Sequence, residues 1–243
     1  ILAETLGAAL LWGLLTAEST PVVLALLAVM GAGFALMQIR PQIEETITGA
    51  FHSARGVATA FGLLIVLIYP FFLGNNTYAL HIVIVALLYS VLALALNFQL
   101  GSANIPNFAT GATYGIGAYT SGLLAVNYGL SLWATLPVAA LVATAFGFLL
   151  GIPSMRTRDS YLALVTIAFG IVIHQLLNNF DWTGGANGLV GIPAPSLFGH
   201  SFMQPIKVLG FTLPAQANFY YLAAALLGAL FFLGYFFFQI PGA

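Results

Sequence analysis
Apolar residues run in long uninterrupted stretches, at 2–16, 21–39, 57–73, 78–100, 108–126, 132–152, 161–177 and 219–238. A helix needs about 20 apolar residues to cross roughly 30 Å of hydrocarbon, and most of these runs approach that length. Their continuity predicts α-helices, because a membrane strand alternates apolar and polar positions with period two. The pattern therefore predicts an all-α polytopic transmembrane helix bundle of about eight spans, with every backbone group satisfied inside its own helix. The connecting stretches are short except 178–218, and no repeat or linker divides the chain, so residues 1–243 are expected to form a single transmembrane domain.

Composition narrows the environment to a lipid bilayer. Hydrophobic residues make up 61% of the chain and charged residues 5%, whereas soluble domains carry about a quarter charged residues. A net charge of −1 leaves no basic surface for nucleic acid. With no cysteine, thiolate metal sites and disulfides are absent, and the histidines show no metal-ligand spacing.

The few charges set the orientation. The cations are Arg40, Arg55, Arg156, Arg158 and Lys207, all outside the apolar runs, as expected when a charge at a helix centre costs roughly 2.5–3.5 kcal/mol. Counting spans returns all four arginines to one face, which the positive-inside rule makes cytoplasmic. The 178–218 segment then becomes a long periplasmic loop. Between Arg40 and Arg55, Ile39, Ile43, Ile47 and Phe51 recur every four residues, a pattern that predicts an amphipathic helix at the cytoplasmic interface.

One segment breaks the apolar pattern inside the bundle. Residues 97–114, NFQLGSANIPNFATGATY, are polar where a uniform span would be apolar, and Gly101 and Pro106 interrupt the backbone. Such a break is tolerated only against protein or a water-lined cavity. Asn107, Thr110, Gly111 and Tyr114 fall at helical spacing on one face beyond the proline, where a half-helix N-terminus presents N–H groups and a positive dipole end. The competing reading is an interfacial loop whose asparagines cap the next helix. A second stripe, Thr166, Gly170, His174 and Asn178, follows at steps of four along 161–177 and must face protein or a cavity. His174 is expected to make an interhelical hydrogen bond. The small-residue pairs Gly111/Gly115, Gly147/Gly151 and Gly31/Ala35 predict close helix packing.

The missing motifs matter equally. No acidic residue lies mid-span, which argues against proton coupling through an intramembrane carboxylate. No GxxxxGK[ST] loop occurs, and no nucleophile has a base and an orienting acid beside it. The chain is therefore not expected to be an enzyme or to hold a cofactor, and no catalytic or metal residue is assigned.

The run MRTRDSYLALVTIAFG at 155–170, followed by TGGANGLVGIP at 183–193, resembles the M-type permease subunit of bacterial branched-chain amino acid ABC importers. IGAYTSGLL at 116–124 and LPVAALVATAFGFLLGIP at 136–153 are similar to it too. The resemblance implies a multi-pass protein of the bacterial inner membrane that pairs with a second, H-type permease subunit. It further implies two cytoplasmic ATPase subunits on the side of Arg156 and Arg158, and a periplasmic substrate-binding protein on the opposite side. Ile171 stands where the family commonly has a glutamate, His174 where it commonly has an arginine, and Thr110 where related permeases often have a histidine. The family also continues past the last apolar run, so the chain is expected to be truncated at its C-terminus.

The expected function is half of a translocation path for branched-chain or other small apolar amino acids, with Asn107, Thr110, Tyr114, Thr166 and Gly170 along the path. Permeases for urea or short amides share the architecture, and an ion-coupled secondary transporter and a non-transporting membrane subunit are the readings from other classes.

Overall fold
The computed structural model describes residues 2–17, 19–39, 49, 54–103, 107–154, 159–208 and 210–239. Its helices are α1 (Leu2–Thr16), α2 (Thr20–Ile39), α3 (Arg55–Leu73), α4 (Thr77–Ala103), α5 (Thr110–Tyr128), α6 (Leu132–Ser154), α7 (Asp159–Asn179) and α8 (Gln216–Gln239). Each apolar run is helical. Five helices, α3, α4, α6, α7 and α8, are long and apolar enough to cross a membrane, and most of the residues in each span stay outside the protein interior. The fifth run forms a helix but is not among these five, since α5 carries threonine, glycine and tyrosine through its first half. Arg40, Arg156 and Arg158 lie outside the described residues, as do Pro106 and most of the amphipathic pattern around Ile43, Ile47 and Phe51.

The chain forms two compact units, Ile1–Val85 with Pro205–Ala224, and Ala86–Gln204 with Ala225–Ala243. In the first, Trp12 of α1 donates its indole N–H to Phe72 O of α3 at 3.2 Å. Gly74 ends α3 at φ +55°, a backbone conformation that favours glycine, and its N–H returns to Pro70 O. Asn76 then opens α4, accepting the Ala79 N–H on Oδ1 at 3.0 Å, the usual way a side chain satisfies a free helix N–H. The first part of α8 packs on α3, with the Tyr220 and Tyr221 hydroxyls donating to Val66 O and Leu67 O, both at 2.9 Å.

In the second unit α5 and α6 form a close antiparallel pair. Gly129 caps α5 in the left-handed conformation, its N–H bonded to Ala125 O, and only residues 129–131 separate the helices. Gly117 admits Ala143 of α6, whose Cβ would lie 3.7 Å from a Cβ at that glycine. Four residues along, the Ser121 and Thr135 hydroxyls meet at 2.7 Å, with Thr135 fully buried. Small residues thus do permit close packing, but the expected pairs are mostly not the ones that do so. Gly115 meets Leu177 of α7 at 3.3 Å, whereas Gly31, Gly111, Gly147 and Gly151 have nothing within 4 Å among the described residues. Further along, α4 and α8 touch where the Phe98 ring occupies the place a side chain at Gly234 would need.

The long loop contains structure that helical periodicity does not show. Two single-turn 3-10 helices, Asp181–Thr183 and Gly185–Asn187, follow α7. Strands β1 (Ser196–Leu197) and β2 (His200–Ser201) pair antiparallel, as do β3 (Ile206–Val208) and β4 (Phe211–Leu213). Phe211 sets its ring edge-on to Phe71 at 6.2 Å, within the first unit.

Candidate functional site
Of the segment expected to be interrupted, residues 97–103 continue α4 with Gly101 inside the helix, so the expected break at Gly101 does not occur; residues 107–114 lead into α5, and Thr166 of α7 holds that start in place. Phe108 N–H donates to Thr166 Oγ1 at 3.1 Å, and that hydroxyl in turn donates to Ala163 O at 2.9 Å. Asn107 precedes the helix instead of lying on its face. Its Oδ1 accepts the Ala109 N–H at 2.9 Å, and its carbonyl accepts the Thr110 hydroxyl at 3.3 Å. The N–H of Ala109, the N-cap residue of α5, and that of Phe108 just before it are thereby paired with side chains. Asn107 closes the turn that precedes α5, whose N-cap residue is Ala109 with no side-chain cap bond.

Beneath this start lies a packed core from three helices. Ala109 is fully buried and clusters with Ala112, Leu150 and Ile173, and Ile116, Phe146, Phe169 and Leu177 pack around them. Phe146 and Phe169 meet edge to face at 5.9 Å. The short side chains of Ala109 and Ala112 let α5 sit close to its neighbours, so its polar first turn is anchored from below by apolar contact and at the side by Thr166.

The five candidate path residues fall into two groups. Asn107, Thr110 and Thr166 come together through the hydrogen bonds above, with Thr166 only 3% exposed. Tyr114 is 48% exposed, and Gly170 is half-buried with nothing within 4 Å of the place its Cβ would take. Tyr114 and Gly170 therefore offer surface, whereas Thr166 fixes backbone. Toward the end of α7 His174 is exposed and its ring lies 3.2–3.3 Å from the Asn178 amide nitrogen. The expected interhelical bond is replaced by one within the helix, because residues four apart share a face.

The glycine-rich turn after α7 owes its shape to residues that spacing alone did not single out. Thr183 is fully buried, and its hydroxyl lies 2.7 Å from Leu177 O and 2.6 Å from Phe180 O, serving the last carbonyls of α7. Gly184 sits at φ +91°, and Gly188 O occupies the space a Cβ there would fill. The chain leaving this turn rests on α5, where Leu189 and Ile192 cover Gly122. Trp133, near the start of α6, donates to Ser196 O at 2.7 Å and ties down β1. The run TGG was a visible signal for the turn, but no local pattern pairs Gly122 with Leu189 or Trp133 with Ser196.

Comparison with known proteins places these elements in a family. The family described as "Branched-chain amino acid transport system / permease component" matches residues 78–237, which include the start of α5, the α7 stripe and the glycine-rich turn. The chain is 42% identical over 146 residues to the high-affinity branched-chain amino acid transport system permease protein LivM of Escherichia coli (strain K12). The LivM protein of Salmonella typhimurium (strain LT2) matches to the same extent. Each alignment takes in 60% of this chain and 34% of the relative, so the chain spans about a third of the length of the curated relatives it matches. No solved structure matches. With the family match extending over most of its length and helices of membrane-spanning length within it, this multi-pass inner-membrane protein belongs to the branched-chain amino acid transport permease family.

Proposed function
We propose that the chain forms half of the translocation path of an ATP-driven importer for branched-chain or other small apolar amino acids. An H-type permease subunit supplies the other half, two cytoplasmic ATPase subunits drive the switch between outward and inward access, and a periplasmic binding protein delivers the substrate. ATP is hydrolysed on the partners and not on this chain. Residues 1–243 act as a single permease domain. Tyr114, Gly170 and Thr110 line the path, while Asn107 and Thr166 hold the start of α5 in register beside it. The cytoplasmic arginines, Arg156 and Arg158, face the ATPases.

The observation that supports this reading is that the family match covers a helix start whose polar turn is latched to a neighbouring helix, at Phe108 and Thr166. Polar backbone at membrane depth is tolerated only against other protein or a water-lined cavity. The test is uptake of labelled leucine by the full-length protein with its partner subunits, in cells lacking other high-affinity uptake. Gly170→Trp is expected to lower uptake at least tenfold while the subunits still co-purify, because the open space beside Gly170 is then filled. Unchanged uptake would remove the path assignment. Uptake that persists after ATP depletion and collapses with the ion gradient would instead establish a secondary transporter.

A further inference from the structure
Residues 180–196 leave α7 and touch three helices in turn. On α7 the buried Thr183 hydroxyl lies 2.7 Å from Leu177 O, and the Gly185 N–H returns to Phe180 O at 3.0 Å. On α5 the buried Gly122 has no side chain, and the place its Cβ would take is 2.8 Å from Leu189 Cδ2 and 3.4 Å from Ile192 Cδ1. On α6 the Trp133 indole N–H donates to Ser196 O at 2.7 Å. The three helices also meet one another, α5 with α6 through Ser121 and Thr135 and α5 with α7 at Gly115 and Leu177.

We propose, building on the transport function above, that this strap is a clamp that keeps the loop-side ends of α5, α6 and α7 together as one body throughout the transport cycle. The path then opens on that side without parting them. A segment that opens as a lid has few buried contacts. This one carries a fully buried threonine and lays two apolar side chains against a glycine that leaves room for them. It also has little slack. Only residues 193–195 separate Ile192 from Ser196, and Pro193 and Pro195 each fix φ. At about 3.6 Å per residue the four steps span at most about 14 Å, so a wide parting of α5 from α6 at this end has to break either the Gly122 or the Trp133 contact. The turn at the other end is held too, since Gly184 is at φ +91° with Gly188 O packed against it.

Residues 1–243 contain no cysteine, so a disulfide placed across the strap tests the clamp. Gly122→Cys with Leu189→Cys sets one sulfur on α5 and trims the methyl group that would crowd it. The pair is introduced into the full-length protein with its partner subunits, any cysteines elsewhere replaced, and oxidised in cells. The disulfide is expected to form equally fast in energised cells and in cells depleted of ATP and ion gradients, and leucine uptake to stay within twofold of its value after reduction. A tenfold loss of uptake on oxidation that reduction restores overturns the clamp. So does a pair that forms no disulfide, or forms it tenfold more slowly in one condition. Hydrogen exchange of the unmodified protein gives a second readout. The peptide 183–190 is expected to exchange as slowly during turnover as at rest, and tenfold faster exchange during turnover overturns the proposal. Uptake by the reduced variant that ignores ATP and follows the ion gradient removes the functional proposal instead, and the disulfide comparison still decides the clamp.

Discussion

The hydroxyl of Tyr220 donates to the carbonyl of Val66 at 2.9 Å, and Val66 is the residue whose helical partner would be the N–H of residue 70. Pro70, inside α3, has no N–H to give. The tyrosine thus supplies from α8 the hydrogen bond that proline withholds within α3, and Tyr221 repeats the contact one residue on at Leu67 O.

Tyr220→Phe is expected to destabilise the protein by about 1 kcal/mol, the ordinary net worth of a hydrogen bond, here to a carbonyl with no helical donor. Replacing Pro70 with alanine restores a helical donor, so Tyr220→Phe should cost less in that background. Thermal unfolding of the two single variants and the double variant in detergent measures the difference. Equal costs in both backgrounds would show that the two residues act independently.

Thr166→Val removes the acceptor of the Phe108 N–H while keeping the shape of the side chain. A loss of about 1–3 kcal/mol follows from the unsatisfied donor, together with reduced uptake, since the start of α5 is no longer held. Thr166→Ser retains the hydroxyl and is expected to recover most of both. A valine variant with native uptake and unfolding temperature would separate Thr166 from the organisation of this segment.

Gly184 and Gly111 should respond oppositely to alanine. At Gly184 a Cβ would occupy the space of Gly188 O in a left-handed backbone, a conflict expected to cost more than about 3 kcal/mol by combining strain and overlap. At Gly111 nothing lies within 4 Å among the described residues, and α5 is helical there. Gly111→Ala should be neutral or stabilising by up to about 1 kcal/mol. Expression level and unfolding temperature of the two variants make the comparison.

Thr135→Val and Ser121→Ala each remove the hydroxyl–hydroxyl bond between α5 and α6, the latter leaving Thr135 with only its bond to Leu132 O. Each single change is expected to lower stability by about 0.6–1.7 kcal/mol, the range for hydrogen bonds between membrane helices. The double variant should cost less than the two single effects added, because neither hydroxyl then remains to be satisfied. Additive losses in the unfolding temperature would count against a direct bond.

The helices themselves were legible from the chain alone, because a long apolar run in a bilayer has one stable backbone solution. The break before α5 was legible only in part: Gly101 was expected to interrupt the backbone but lies inside α4, because a glycine alone is tolerated in a helix, and Pro106 lies outside the described residues. The hairpins were not legible. Strands of two or three residues carry no alternation, and the turn between β1 and β2 is Phe198–Gly199, with Phe198 at φ +50°, not one of the asparagine–glycine or aspartate–glycine pairs that announce such turns.

What the amino-acid sequence determined by itself is local: where helices begin and end, which turns require glycine, and which segment cannot face lipid. The tertiary structure decided which groups serve one another. It assigned the Thr166 hydroxyl to the Phe108 N–H and the Tyr220 hydroxyl to the carbonyl that Pro70 leaves free. It also moved the close helix contact between α5 and α6 from most of the expected glycine pairs to Gly117. These pairings join residues tens of positions apart, and in a nearly all-apolar chain many registers bury similar area. The choice falls to small complementarities of shape and to the few polar groups that must be satisfied, which appear only once the helices are side by side.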